Sequence, residues 1–144
     1  NIVGIIHEAV QYLRPRISRK INISITPDAS HQIIMPVNPQ LFEWVIENLL
    51  RNAADAMDGE GEITIAINED NRQVSVDVTD TGKGIPKNMF KTIFRPGYTS
   101  KKRGWGLGLS LASRIIENYH KGKIFVRSSV PGKGTTFRIL LKHR

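Results

Sequence analysis

The feature that most limits how this chain can fold is a pair of alternating apolar runs, Ile63/Ile65/Ile67 and Val74/Val76/Val78, joined through Asn68 to Arg72. Period-two alternation of β-branched residues buries one face of each strand and leaves the other to water. With so short a polar connection, the pair reads as a β-hairpin. A sheet with one apolar face must be covered, and the cover stands immediately upstream. Asn38-Pro39 punctuates the chain and opens a long helix whose buried stripe is Leu41, Val45, Leu49, Ala53 and Met57, reinforced by Ile46 and Leu50. Asp58-Gly59 ends it. Asp80 continues the parity of the valine stripe, so its carboxylate is expected to point toward the helix-covered side. An acid in that position is costly unless something pairs with it.

The remaining elements follow the same signals. Val3, Ile6, Val10 and Leu13 recur at helical spacing before Pro15, and Ile21, Ile23 and Ile25 alternate in a short strand. His31 to Met35 reads as a second strand, Lys87 to Phe94 as a short helix and Arg95 to Arg103 as a mobile loop. Gly106 to Tyr119 reads as a helix with Leu107, Leu111 and Ile115 on one side. Two last strands, Lys123 to Ser128 and Thr135 to Leu141, flank the turn Pro131-Gly132-Lys133-Gly134. Strands interleaved with three or more helices imply an α/β two-layer sandwich, a mixed β-sheet covered on one face by helices.

Composition narrows the function. A chain of 144 residues suits one domain with a real core. No cysteine is present, which excludes a disulfide framework or thiolate zinc site and suits a reducing, cytoplasmic compartment. No apolar run reaches the length of a membrane span, no signal peptide opens the chain, and a first residue other than Met suggests a piece of a longer protein. The net charge of +8 predicts an anionic partner. Aromatic and basic residues do not interleave, so a nucleic-acid partner is not expected.

Two glycine pairs point to the anion. Gly82/Gly84 and Gly106/Gly108 flank a segment rich in Lys, Arg, Thr and Ser, the kind of backbone that lets amides approach phosphate oxygens. Upstream, Asn48 and Asn52 are four apart and therefore share one helical face. Each element has a plainer reading: solvated asparagines, a turn Asp before Gly82, and a β-favouring Thr135. Their order along the chain favours a nucleoside triphosphate.

ENLLRNAADAM (Glu47 to Met57), DTGKGIP (Asp80 to Pro86) and GWGLGLSLASRII (Gly104 to Ile116) resemble the N, G1 and G2 boxes of the ATP-binding family that contains histidine kinases, gyrase, Hsp90 and MutL. IFRPGYTSK (Ile93 to Lys101) is similar to the histidine-kinase F box, and GKGTTFRILL (Gly132 to Leu141) to the closing strand of the same domain. The resemblance spans nearly the whole chain and implies the Bergerat-type ATP-binding fold. It implies ATP and Mg²⁺ as ligands, with Asn52 holding the metal and Asp80 accepting from the adenine amine. It further implies that Asp55, Gly82, Gly84, Ile85 and Thr135 line the nucleotide pocket. Thr99, Ser100, Lys101, Gly104, Gly106, Leu107 and Gly108 would serve the phosphates, with Asn48 and Lys101 the residues of catalysis.

Departures from the family pattern sharpen the expectation. In the ATPase branches a Glu stands four residues before the metal-binding Asn, and here that residue is Asn48. An amide cannot take a proton from water, so hydrolysis loses its general base. Glu47 is rotated by about 100° around the helix and is a poor substitute. Histidine kinases usually carry Asn at this position and pass the γ-phosphoryl to a protein histidine. The resemblance therefore implies a histidine kinase catalytic domain in a two-component system. Its partners would be an upstream histidine-containing dimerisation domain and a response regulator receiver domain, and its parent protein could be anchored in the cell membrane. The acceptor is not expected in this chain, since Gln11 and Tyr12 do not continue a His7-Glu8 acceptor motif. The isolated domain is expected to be a monomer. Trp105 and Gly97 replace usual lid residues and keep open a nucleotide-binding module without transfer, and a serine kinase on the same fold is the other alternative.

Overall fold

A computed structural model describes residues 1–96 and 108–143. Helix α1 (Ile2–Leu13) is followed by strand β1 (Ile21–Thr26), helix α2 (Pro39–Ala56), and strands β2 (Gly61–Glu69) and β3 (Gln73–Asp80). Two single-turn 3₁₀ helices, Lys87–Met89 and Thr92–Phe94, precede helix α3 (Gly108–Arg114), which widens into a π-helical turn over Ile115–Tyr119. Strands β4 (Lys123–Val130) and β5 (Gly134–Lys142) close the chain. The sheet runs β1-β2-β3-β5-β4, with β1 parallel to β2 and every other pairing antiparallel.

Alternation decides which face is covered. Ile63, Ile65 and Ile67 of β2 and Val74, Val76 and Val78 of β3 are buried, as are Phe137, Ile139 and Leu141 of β5. They form one core with Phe42, Val45, Ile46, Leu49 and Leu50 of α2 and with Ile2, Val3, Ile6 and Leu13 of α1. Asn38 starts α2 as read from the sequence, its side chain accepting the Leu41 N–H at 3.0 Å. The stripe is displaced slightly, because Phe42 is fully buried whereas Leu41 is half-buried.

Three expectations are corrected. His31 to Met35 is not a strand. Its alternation is genuine, with Ile33 and Met35 buried and Ile34 exposed. Its backbone, however, serves the start of α1, where the Ile33 carbonyl accepts the Ile2 N–H at 2.9 Å. That bond satisfies one of the amides a helix leaves unpaired at its first turn. Lys87 to Phe94 is two 3₁₀ turns rather than one helix, closed by Phe90 N–H to Lys87 O and Arg95 N–H to Thr92 O. In α3 and its π turn the fully buried residues are Ala112 and Ile116, with Leu109 and Ile115 partly buried against the core. Leu107 lies outside the described residues. His120, half-buried, ties two elements together. Its Nε2 accepts the Asn38 N–H at 3.0 Å and its Nδ1 donates to Ile115 O at 3.0 Å, joining the end of the π turn to the start of α2.

The open face carries one buried acid. Asp77 is held by Arg138 through two bonds of 2.7 and 2.8 Å and by Arg127 at 3.0 Å, while Thr79 and Thr136 share a hydrogen bond of 2.8 Å beside it. Arg127 is the extra residue of a β-bulge between Val126 and Ser128. The bulge reverses the side-chain parity of the rest of β4.

Candidate functional site

Helix α2, the segment after β3, and the β4–β5 turn meet at one end of the sheet. Lys83 N–H donates to Ala56 O at 3.0 Å, and Gly132 N–H donates to Lys83 O at 2.7 Å. The segment after β3 is thus held on both sides. Its glycines answer to these neighbours. A Cβ on Gly82 would fall 2.6 Å from Ala56 O, and one on Gly84 2.5 Å from Val130 O, with Gly84 also at φ +81°. The expectation that this pair leaves backbone open to a nucleotide is therefore refined, since both positions are filled first by protein backbone.

Asp80 is 4% exposed and lies opposite Thr135, itself 4% exposed, in the β3–β5 register. The Gly82 N–H donates to Asp80 Oδ1 at 2.8 Å. Burial pushes the Asp80 carboxyl above the usual carboxylate range, and the backbone amides of Gly82 and Thr135 oppose this. Desolvation dominates, so the acid has less support than its burial calls for. Ile85, half-buried against the core, donates its N–H to Ser129 Oγ at 2.7 Å, and Ser129 in turn bonds Thr135 Oγ1 at 2.8 Å. Sequence reasoning missed Ser129.

Asn48 and Asn52 project along one row of α2, both half-buried. Gly108, the first residue of α3, packs so closely that a Cβ there would meet Asn48 Oδ1 at 2.7 Å. Asn48 Nδ2 is buried without a hydrogen-bond partner among the described residues. A buried amide N–H₂ left unpaired is costly, and it is the kind of group an anionic oxygen would satisfy. Glu47 faces a different set of charges: burial and Glu43 push its carboxyl up, while Arg51 and Arg16 pull it down. That environment matches its rotation away from Asn48.

Among the described residues no group of three His, Cys, Asp or Glu could cage a metal. The single amide oxygen of Asn52 fits instead a hard cation that arrives on a triphosphate and keeps most of its waters. Asp55 is exposed and lines a cavity of about 490 Å³ with Arg16, Ser18, Asp58 and Gly59, to which Asn48, Asp80 and Thr135 do not contribute. Asp80, Gly82, Gly84, Ile85 and Thr135 converge, and Gly108 joins Asn48. Thr99, Ser100, Lys101, Gly104, Gly106 and Leu107 lie outside the described residues.

Comparison with known proteins adds an independent line. The family described as Histidine kinase-, DNA gyrase B-, and HSP90-like ATPase matches residues 37–144. The sensor histidine kinase ZraS of Escherichia coli (strain K12) is 37% identical over 124 residues, covering 86% of this chain and 26% of that protein. The catalytic domain of histidine kinase ThkA superposes with a TM-score of 0.83 at 28% identity, covering 99% of this chain and 94% of that one. A structure of histidine kinase ThkA in complex with response regulator protein TrrA gives a TM-score of 0.83 at 26% identity, covering 100% of this chain and 41% of that one. The chain thus spans about a quarter of ZraS. Among the described residues no helix is long and apolar enough to cross a membrane.

Proposed function

Because this chain belongs to the Histidine kinase-, DNA gyrase B-, and HSP90-like ATPase family, we propose that it is a catalytic domain that binds Mg-ATP and passes the γ-phosphoryl to a histidine of an upstream dimerisation domain. A response regulator receiver domain is the next acceptor, a reading supported by the ThkA complex with its response regulator. The observation that carries the proposal is Asn48. It occupies the face where a hydrolase needs a carboxylate, and its buried Nδ2 has no partner among the described residues. An amide can donate to a phosphate oxygen but cannot activate water, so the site favours transfer to a positioned protein nucleophile over hydrolysis.

The other side chains divide the binding. Asp80 accepts from the exocyclic amine of adenine, an acceptor-only group that rejects the carbonyl of guanine. Thr135 lies beside it, and Ile85 contributes apolar surface. Asn52 holds the ion by its amide oxygen. Mg²⁺, when bound, neutralises phosphate charge and orients the terminal phosphoryl. Lys101, Thr99, Ser100, Gly104, Gly106, Leu107 and Gly108 complete the phosphate side, while Asp55 lines a cavity to which Asn48 and Asp80 do not contribute. Positioning and charge neutralisation supply most of the rate, which is all that phosphoryl transfer asks of a protein. The domain is single, monomeric in isolation and cytoplasmic in orientation.

Mixing the chain with its histidine-bearing dimerisation domain and γ-labelled ATP is expected to yield an acid-labile phosphohistidine. Intact ATP binding with no transferred label would reject the kinase reading and favour a nucleotide-binding module. An acid-stable product would indicate a hydroxyl acceptor. Asn52→Ala is expected to leave metal-free ATP affinity within about twofold but to remove roughly tenfold of the gain from Mg²⁺, or ~1.4 kcal/mol. Titration calorimetry with and without Mg²⁺ measures it, and an undiminished metal gain would reject the assignment.

A further inference from the structure

Ser129 is placed by an irregularity. In an unbroken β4, Phe125, Arg127 and Ser129 would share the open face; the bulge at Arg127 moves Ser129 to the other side, where it pairs with the buried Thr135. Three polar neighbours meet its hydroxyl: Ile85 N–H at 2.7 Å, Thr135 Oγ1 at 2.8 Å and Gly134 O at 3.1 Å. A serine hydroxyl has one proton and two lone pairs. The Ile85 N–H takes one lone pair, leaving the proton and the second lone pair for Gly134 and Thr135.

The consequence lies at Thr135. If Ser129 gives its proton to Gly134 O, Thr135 must donate to Ser129 and presents only lone pairs beside Asp80. Gly134 O can only accept, so the 3.1 Å bond takes the Ser129 proton and this arrangement is the one the structure shows. Adenine offers an amine donor next to a ring-nitrogen acceptor, whereas guanine offers a carbonyl acceptor next to an N–H donor. Asp80 satisfies the amine, and a water that gives one proton to a Thr135 lone pair can give its other to the ring nitrogen.

We propose that Ser129 is a positioning residue for base recognition, fixing both the backbone at Ile85 and the direction of the Thr135 hydroxyl, and that it thereby contributes to selection of adenine over guanine. This inference rests on the nucleotide reading of the site. The G1 segment does not depend on Ser129 alone, since Gly132 N–H also holds Lys83 O. Removing the serine hydroxyl should disturb the base end locally rather than release the segment.

The test compares the unsubstituted chain with Ser129→Ala and Ser129→Thr, measuring ATP affinity by calorimetry, GTP affinity by competition, and the melting temperature of each. Ser129→Ala is expected to weaken ATP about tenfold with little change for GTP, so that the ATP/GTP preference falls about tenfold. Ser129→Thr, which keeps the hydroxyl on a strand, is expected to restore the preference to within about threefold. ATP and GTP weakening in proportion, an unchanged preference in Ser129→Ala, or no recovery in Ser129→Thr would each overturn the positioning role. Failure of the unsubstituted chain to bind ATP at all would overturn the nucleotide reading itself and this inference with it, and it is seen before any substitution is made.

Discussion

Asp80→Asn is expected to weaken ATP binding by about a hundredfold or more, ~2.7 kcal/mol, while raising the melting temperature of the nucleotide-free chain. The two effects share one cause. Asp80 is 4% exposed, and desolvation is the largest influence on its carboxyl, which titrates above the usual range. An asparagine oxygen can keep the 2.8 Å bond from the Gly82 N–H while removing the buried charge. The amide, however, can turn a donor toward the adenine amine, and the charge-assisted bond is lost. The sign with pH follows from the raised folded-state value. The Asp80 contribution to stability is fully present below the unfolded carboxylate range, near about pH 3.9, and is lost as pH rises through the folded value. The stability advantage of Asp80→Asn should therefore be largest at neutral pH and shrink on acidification. Each kcal/mol recovered should appear as about 2–4 °C in a chain of this size. Paired thermal melts between pH 4 and 8, with calorimetric ATP titrations at neutral pH, measure both effects. ATP affinity within about threefold of the unsubstituted chain would remove Asp80 from the base site.

This acid was legible in the sequence because parity is a local property: counting on from Val74, Val76 and Val78 reaches Asp80 on the same face, and Asp80 is buried there. The α2 stripe and its Asn38 cap were legible for the same reason, each being set by residues within a few positions. Ser129 was not. Counting from Ile124 and Val126 puts it on the open face, and nothing nearby announces the extra residue at Arg127 that reverses the count. Asp77 shows the converse, since its parity points to water. Arg127 and Arg138 from neighbouring strands close over it and leave it 6% exposed.

His31 to Met35 shows a different limit. Its alternation of buried and exposed residues is real, but alternation does not say what the backbone pairs with, and here the partner is the start of α1. The glycines of the DTGKGIP segment show a third. A glycine declares that something comes close without saying what. Gly82 and Gly84 fit equally a ligand or, as found, the carbonyls of Ala56 and Val130. Asn48 was legible by its spacing from Asn52 and by resemblance; only the fold reveals that its amide nitrogen is buried and, among the described residues, unpaired.

Gly134→Ala is expected to destabilise the chain by about 3 kcal/mol or more, compared with about 1 kcal/mol for Gly132→Ala. Both glycines have positive φ, +139° and +82°, so both substitutions strain the backbone and remove similar freedom from the unfolded chain. They differ in what a Cβ would meet. At Gly132 nothing lies within 4 Å. At Gly134 the Cβ would overlap the carbonyl oxygen of Asp80 and approach Asp80 C to 3.0 Å and Thr81 Cα to 3.1 Å, all backbone atoms that no side-chain rotation can clear. The difference between the two variants therefore reports the approach of β5 to the end of β3, with the conformational cost largely cancelled. Because the displaced atoms belong to Asp80, the loss should extend to the site, and Gly134→Ala should weaken ATP well beyond any effect of Gly132→Ala. Urea unfolding of the two variants in parallel, with ATP titrations on the folded fraction, measures both quantities. Equal destabilisation would mean that β5 does not press on Asp80, and the pairing of Asp80 with Thr135 on which base recognition depends would have to be redrawn.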